Sequence, residues 1–215
     1  DAIDIFIDRQ IWNTWEALPF LVPASSVRFL PLDDTSTAGP DRAFFVWPYR
    51  DWEPDVLPNL PHPAYLQVER GPEAQGDRDP APYSIATVII AESRPEVPPT
   101  VATFEHGITL RAALTSATQG GCTVSLWWDA STRIARDYTV YVHYMRDGVR
   151  IAQHDGQPGF GHLRTTFWHP GDLIKDIHPV GDLEPEPGSD ELRVGLYEGA
   201  TGTPVRLIKT NGEFS

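Results

Sequence analysis

The chain has 215 residues, 40% of them hydrophobic, with 21 prolines, 17 glycines and a formal net charge of −13. That length suits one large domain or two small ones, and so much proline and glycine leaves little room for long helices. A surface this acidic repels phosphate backbones and anionic membranes, which argues against nucleic acid as a partner.

Asp4 to Ala17 carries apolar residues at Ile5, Ile7, Ile11, Trp12 and Trp15, a spacing that predicts a short amphipathic helix ended by Pro19. Strands are expected over Ser26–Leu30 and Ala43–Trp47, the second fully buried, with a polar loop from Asp33 to Asp41 between them. Trp52, Val56 and Leu57 fit one or two helical turns, Pro54 being tolerated near the start. Ala64–Glu69 and Tyr83–Ala91 read as further strands around the loop GPEAQGDRDPAP. Together these predict a small α/β unit over residues 1–92. SRPEVPPT, residues 93–100, then reads as a stiff proline-rich linker.

From 101 to 215 the pattern changes. Short runs of alternating residues recur at Thr103–Phe104, Ile108–Leu114, Cys122–Trp128, Tyr138–Met145, Val149–His154, Leu173–Val180, Leu192–Tyr197 and Val205–Lys209. Turn dipeptides such as Asp147-Gly148 and Asp155-Gly156 punctuate them. This predicts an antiparallel β-sandwich, jelly-roll or immunoglobulin-like, and an α+β class for the whole chain. Alternation puts Val124, Leu126 and Trp128 on one face and Trp127 on the other. By the same rule Val140 and Val142 oppose Tyr141 and His143, while Leu192, Val194 and Leu196 oppose Arg193 and Tyr197.

Cys122 is the lone cysteine, so no internal disulfide forms; its apolar strand predicts a buried, inert thiol. The longest apolar run, Ser84 to Ala91, is far short of the roughly 20 residues a membrane helix needs. No signal-peptide pattern is visible. With Asp1 in place of Met, the chain is expected to be a processed or excised piece of a larger protein.

Three segments are familiar in combination: ERGPEAQGDRDPAPY (Glu69–Tyr83), RDYTVYVHYMRDGVRIAQHDGQP (Arg136–Pro158) and ELRVGLYEGATGTPVRL (Glu191–Leu207). Together they resemble the soluble C-terminal tail of bacterial multi-spanning membrane proteins related to the protein O-mannosyltransferase and aminoarabinose-transferase glycosyltransferases. The resemblance covers about residues 1 to 207 and is strongest in the second part. It implies an extracytoplasmic position, tethered by a membrane region outside this chain. The acidic residue on which family catalysis depends lies in an early loop that has no counterpart here, so no catalytic residue carries over. The implied role is a non-catalytic domain that supports the membrane part of its own parent protein or contacts a glycan or glycosylation acceptor. The alternatives are a purely structural or interaction domain and a stand-alone carbohydrate-active hydrolase.

Candidate carbohydrate contacts are Trp127, Tyr141, Trp168, Arg193 and Tyr197: rings stack on the C–H faces of sugars and a guanidinium bonds their hydroxyls. His143, His154, His162, His169 and His178 are close in sequence, but no His-x-His or His-x3-His spacing occurs and no metal site is assigned. The acidic loops Gly76–Pro80 and Gly181–Glu191 have the composition of a structural Ca²⁺ site without its EF-hand spacing; no other cofactor is expected. A hydrolase would need paired carboxylates, for which Asp129, Asp172 and Asp176 are the candidates. There is no Gly-x-Ser-x-Gly elbow, Walker loop or dinucleotide fingerprint.

Overall fold

A computed structural model describes the chain except residues 1–2, 31–40, 49, 58–59, 61, 72, 76–81, 85, 94, 97, 119–120, 187 and 211–215. It divides into two compact units, Asp1–Ser93 and Arg94–Ser215.

In the first unit, β1 (Asp4–Asp8) lies between β2 (Val27–Leu30) and β3 (Arg42–Val46), parallel to both. β7 (Thr87–Ser93) then pairs antiparallel with β3 and with β4 (Ala64–Arg70). A short hairpin joins β5 (Glu73–Gln75) to β6 (Pro82–Ser84). The predicted helix over Asp4–Ala17 is corrected: its first half is strand. Ile-Phe-Ile is apolar on both faces, as a central strand requires, and Phe6 and Ile7 are buried. Phe6 stacks on Phe44 of β3 with ring centroids 4.8 Å apart. Helix α1 (Arg9–Thr14) begins only after Asp8, whose carboxylate caps it by accepting from the Gln10 amide at 2.7 Å. Ile11 of α1 packs with Ile7 and Val27. Two four-residue helices complete the unit, α2 (Leu18–Leu21) and α3 (Glu53–Val56), the latter with Pro54 in its first turn. Of the loop expected from Asp33 to Asp41, all but Asp41 lies outside the described residues.

In the second unit, β9 (Ile108–Thr118), β10 (Gly121–Ala130) and β13 (Leu173–Gly181) pair antiparallel with β10 in the middle. β8 (Ala102–Phe104) joins β9 to β15 (Leu207–Thr210). A separate 3-stranded sheet runs in the order β12 (Val149–Gly156), β11 (Tyr138–Arg146), β14 (Asp190–Glu198). Each sheet buries one face: Val124, Leu126 and Trp128 of β10, and Val140 and Val142 of β11, are all at 0% exposure.

The expected architecture, an α/β unit followed by a jelly-roll or immunoglobulin-like sandwich, is therefore corrected. The chain is mostly β, with 54% strand against 14% helix, and no α-helix among the described residues exceeds α1 in length. Proline at position 19 or 54 and the pairing of β1 leave no helix long enough to cover a sheet in the α/β manner. In the second unit, three strands cannot cover the longer sheet. Leu114 and β15 stay exposed, Ile208 at 61%, so the two layers do not match as those of a sandwich do. No helix among the described residues is long and apolar enough to cross a membrane.

Candidate functional site

The outward face of the 3-stranded sheet collects polar and aromatic side chains. Register sets Tyr141 of β11 between Asp155 of β12 and Gly195 of β14, and His143 between Gln153 and Arg193. The period of two sends Val140, Val142 and Leu196 inward and these residues outward. The Tyr141 ring lies over Gly195: a Cβ added there would sit 2.5 Å from its Cζ. Only glycine leaves that seat open, and the ring is laid along the sheet instead of standing off it. Tyr197 lies beside it, centroids 6.5 Å apart and planes 28° from parallel. The Tyr197 hydroxyl donates to Asp155 at 3.1 Å, and burial followed by this bond raises its pKa, so it remains a phenol. His143 tilts against Tyr141 at 4.8 Å and accepts from Arg150 at 3.4 Å. Burial and the Arg150 charge hold His143 below its ordinary value, hence neutral at pH 7. Arg193 is exposed and pairs with Glu191 at 2.8 Å.

Three of the five expected contacts, Tyr141, Arg193 and Tyr197, thus share one surface. The other two do not join them. Trp127 is half-buried on β10 in the other sheet, opposite Ala112 and Lys175. Trp168 is a core residue at 1% exposure, its indole N–H given to the Leu163 carbonyl at 2.8 Å. No sugar can reach its face, which corrects its expected role as a contact; a Trp in a Pro-rich loop folds under that loop when the core beneath needs filling.

A second constellation adjoins the first. Asp176 and His178 of β13 are both at 1% exposure, with Asp176 Oδ2 2.7 Å from His178 Nε2. Asp176 Oδ1 accepts the Gly159 amide at 3.0 Å. His178 Nδ1 lies 2.9 Å from His154 Nδ1 on β12. The chain Asp176–His178–His154 leads from the core to a cleft of about 370 Å³ bordered by Asp155, Gln157 and Phe160. Asp155 belongs to both places, since it also holds Tyr197. The sequence signal for this pair is Asp-x-His on a strand whose alternate residues Ile174 and Val180 are apolar and buried. Polar side chains two apart on a core face must satisfy each other.

The remaining candidates are engaged locally. Asp129 is paired with Arg111 at 2.7 Å, and Asp172 accepts the His169 amide at 2.9 Å. With Asp176 on His178, each carboxylate considered for hydrolysis already has its own donor. Among the described residues no group of three or more His, Cys, Asp or Glu could hold a metal ion, and His154 and His178 are the histidines that meet. Residues 76–80 of the first acidic loop lie outside the described residues. In the second, Arg146 answers the carboxylates, bonding Asp190 at 2.8 Å and Glu186 at 2.6 Å. Cys122 is buried, and burial raises its thiol pKa.

Asp190 carries a pH prediction. The Arg146 hydrogen bonds hold its carboxyl well below the usual carboxylate range, with the Glu186 amide and the Tyr144 hydroxyl helping. The folded carboxylate stays ionised where the unfolded one takes a proton, so its stabilisation is complete above the unfolded pKa and fades as pH drops towards the folded one. Asp190→Asn is expected to flatten the loss of stability between about pH 4 and pH 2, measured as urea midpoints against pH. An unchanged acid limb would show that the pair is fully screened.

This is a mostly-β chain with an aromatic and polar face beside a His–Asp cleft. No protein-family model matches it, and no curated protein does. Among solved structures, an endonuclease/exonuclease/phosphatase from Beutenbergia cavernae DSM 12333 aligns over 82% of this chain and 56% of its own, at 14% identity and a TM-score of 0.31. The chain therefore spans little more than half of that protein, and a TM-score so low supports neither a shared fold nor a shared activity.

Proposed function

We propose that this chain is a non-catalytic, extracytoplasmic glycan-contacting domain of a membrane glycosyltransferase-like protein, with Tyr141, Tyr197 and Arg193 as its contact surface. The observation that supports it is the seating of Tyr141 on Gly195, nearly parallel to Tyr197, on an exposed sheet face. Two rings presented flat, with Asp155, His143 and Arg193 around them, match the C–H faces and hydroxyls of a saccharide. The membrane-bound position rests on the sequence resemblance, and the spanning segments would belong to the parent chain outside these residues.

Calorimetry against an oligosaccharide panel tests the reading. Tyr141→Ala and Tyr197→Ala are each expected to weaken binding about tenfold, or about 1.4 kcal/mol. Gly195→Ala should do the same by lifting the Tyr141 ring off its seat, while the fold survives because only the free end of that side chain must move. No binding up to millimolar concentration, or binding indifferent to these changes, would refute it.

A further inference from the structure

We infer that the outward face of the 3-stranded sheet carries a seat for the anionic group of an acidic saccharide, a carboxylate or a phosphate, between the guanidiniums of Arg150 and Arg193 beside His143. The inference rests on the glycan-contact reading and names the class of sugar that this surface selects.

The three side chains leave the same face. His143 and Arg193 are directly opposite each other across β11 and β14. Arg150 of β12 stands opposite Met145, two residues beyond His143, and its Nη1 lies 3.4 Å from His143 Nε2. A β-bulge brings it there. Tyr144 pairs with Ala152, and unbroken register would set Ile151 against Met145; the shift between Tyr144 and Met145 skips Ile151 and sets Arg150 in that place. One extra residue in an edge strand thus turns a cation, in place of an isoleucine, towards the tyrosines, the kind of re-aiming for which bulges are retained.

The two cations have donors to spare. Arg193 gives Nε and Nη2 to Glu191 at 2.8 and 3.5 Å, and its Nη1 has no bond among the described residues. Arg150 is exposed and has no carboxylate partner among the described residues; its bond to the imidazole is long for an N–H donor. Arg136 and Arg146 are each paired with a carboxylate. In a chain with 30 acidic residues against 17 basic ones, an arginine left without an acid is the exception. Asp155, the carboxylate on the Tyr141 row, is engaged by the Tyr197 hydroxyl. After burial, Arg150 acts most strongly on His143, and Arg193 adds to it; together they outweigh Asp155 and lower the imidazole pKa. The field at His143 is therefore positive. Exposed charges farther off than about 8 Å are screened at physiological ionic strength, so these near groups count for more than the overall −13.

A guanidinium's planar fork matches the paired oxygens of a carboxylate or phosphate. Tyr141 tilts against His143 with ring centroids 4.8 Å apart, so a sugar whose anionic group sits at Arg150 has its ring beside the tyrosine pair. A neutral sugar uses the rings alone and leaves Arg150 to water.

Calorimetry on the full chain tests this with two ligand pairs: a uronic-acid oligosaccharide against its methyl ester, and a phosphorylated oligosaccharide against its dephosphorylated form. The charged member of at least one pair is expected to bind more than about tenfold tighter than its neutral counterpart, and the pair with the larger ratio tells carboxylate from phosphate. Arg150→Gln, at an exposed position, should bring that ratio below about threefold, and added salt should narrow it in the wild type. A preference for the charged form that survives Arg150→Gln, or that salt does not change, would overturn the inference. Inorganic phosphate bound as tightly as the phosphorylated sugar would overturn it too, since the site would then hold an ion and no saccharide. Equal affinity within both pairs, with each ligand weakened by Tyr141→Ala, sinks the anionic seat and leaves the glycan-contact reading standing; no binding of any of the four ligands up to millimolar concentration sinks both.

Discussion

Asp176→Ala is expected to destabilise the protein by about 2–6 kcal/mol, about 1–3 kcal/mol for each of the two buried donors left unpaired. The carboxylate is 1% exposed and accepts two buried donors, the Gly159 amide and His178 Nε2–H. Alanine leaves both donors without a partner and removes the negative charge from the His178–His154 chain. It also detaches the 159–163 turn from β13. Asp176→Asn keeps one acceptor oxygen and should lie between wild type and alanine. Urea denaturation of the full chain gives the comparison. A cost below about 1 kcal/mol for alanine would mean that water replaces the carboxylate, and that the buried relay is looser than its distances imply.

Trp168→Ala should cost a similar amount, about 3–5 kcal/mol, through the cavity left by a large buried side chain and the unpaired Leu163 carbonyl. Trp168→Phe keeps most of the packing and loses the N–H, so about 1–2 kcal/mol is expected. Trp127→Ala, on a half-buried position, should cost clearly less than Trp168→Ala. The comparison also guards the functional reading. If Trp168 variants lose glycan binding, thermal melts should show that they lose it in proportion to unfolding. A Trp168→Ala protein that is fully folded yet binds no glycan would restore this residue to the contact surface.

Most of the strands beyond residue 100 are visible in the order of residues because alternation and turn dipeptides are local properties. The runs around Val124, Val140 and Val194 each announce which side chains face the core. Parity also puts Tyr141, Arg193 and Tyr197 outward. It cannot say that β14 pairs with β11 or that Tyr141 meets Gly195, because register between strands some 50 residues apart depends on what else competes for the same edge. Trp127 has the same outward parity and lies on a different sheet, for that reason alone.

Local pattern misleads where a segment's neighbours outweigh its spacing. Ile5 and Ile7 suit a helix with Ile11, yet two parallel partners offer Asp4–Asp8 more burial and a full set of backbone bonds than one more helical turn would. In sequence, Trp168 beside Pro170 is open both to stacking on a ligand and to packing under the Asp155–Gly171 loop, and its burial decides for packing.

From residue order alone come the acidic surface, the shortage of helix, the strand periods and the inward or outward sense of each side chain, all properties of near neighbours along the chain. Folding in three dimensions adds which faces end up adjacent. That is how the Tyr141–Tyr197 surface, the Asp176–His178–His154 chain and the burial of Trp168 arise: each joins residues from different strands or turns, and pairing energies between distant segments set their meeting.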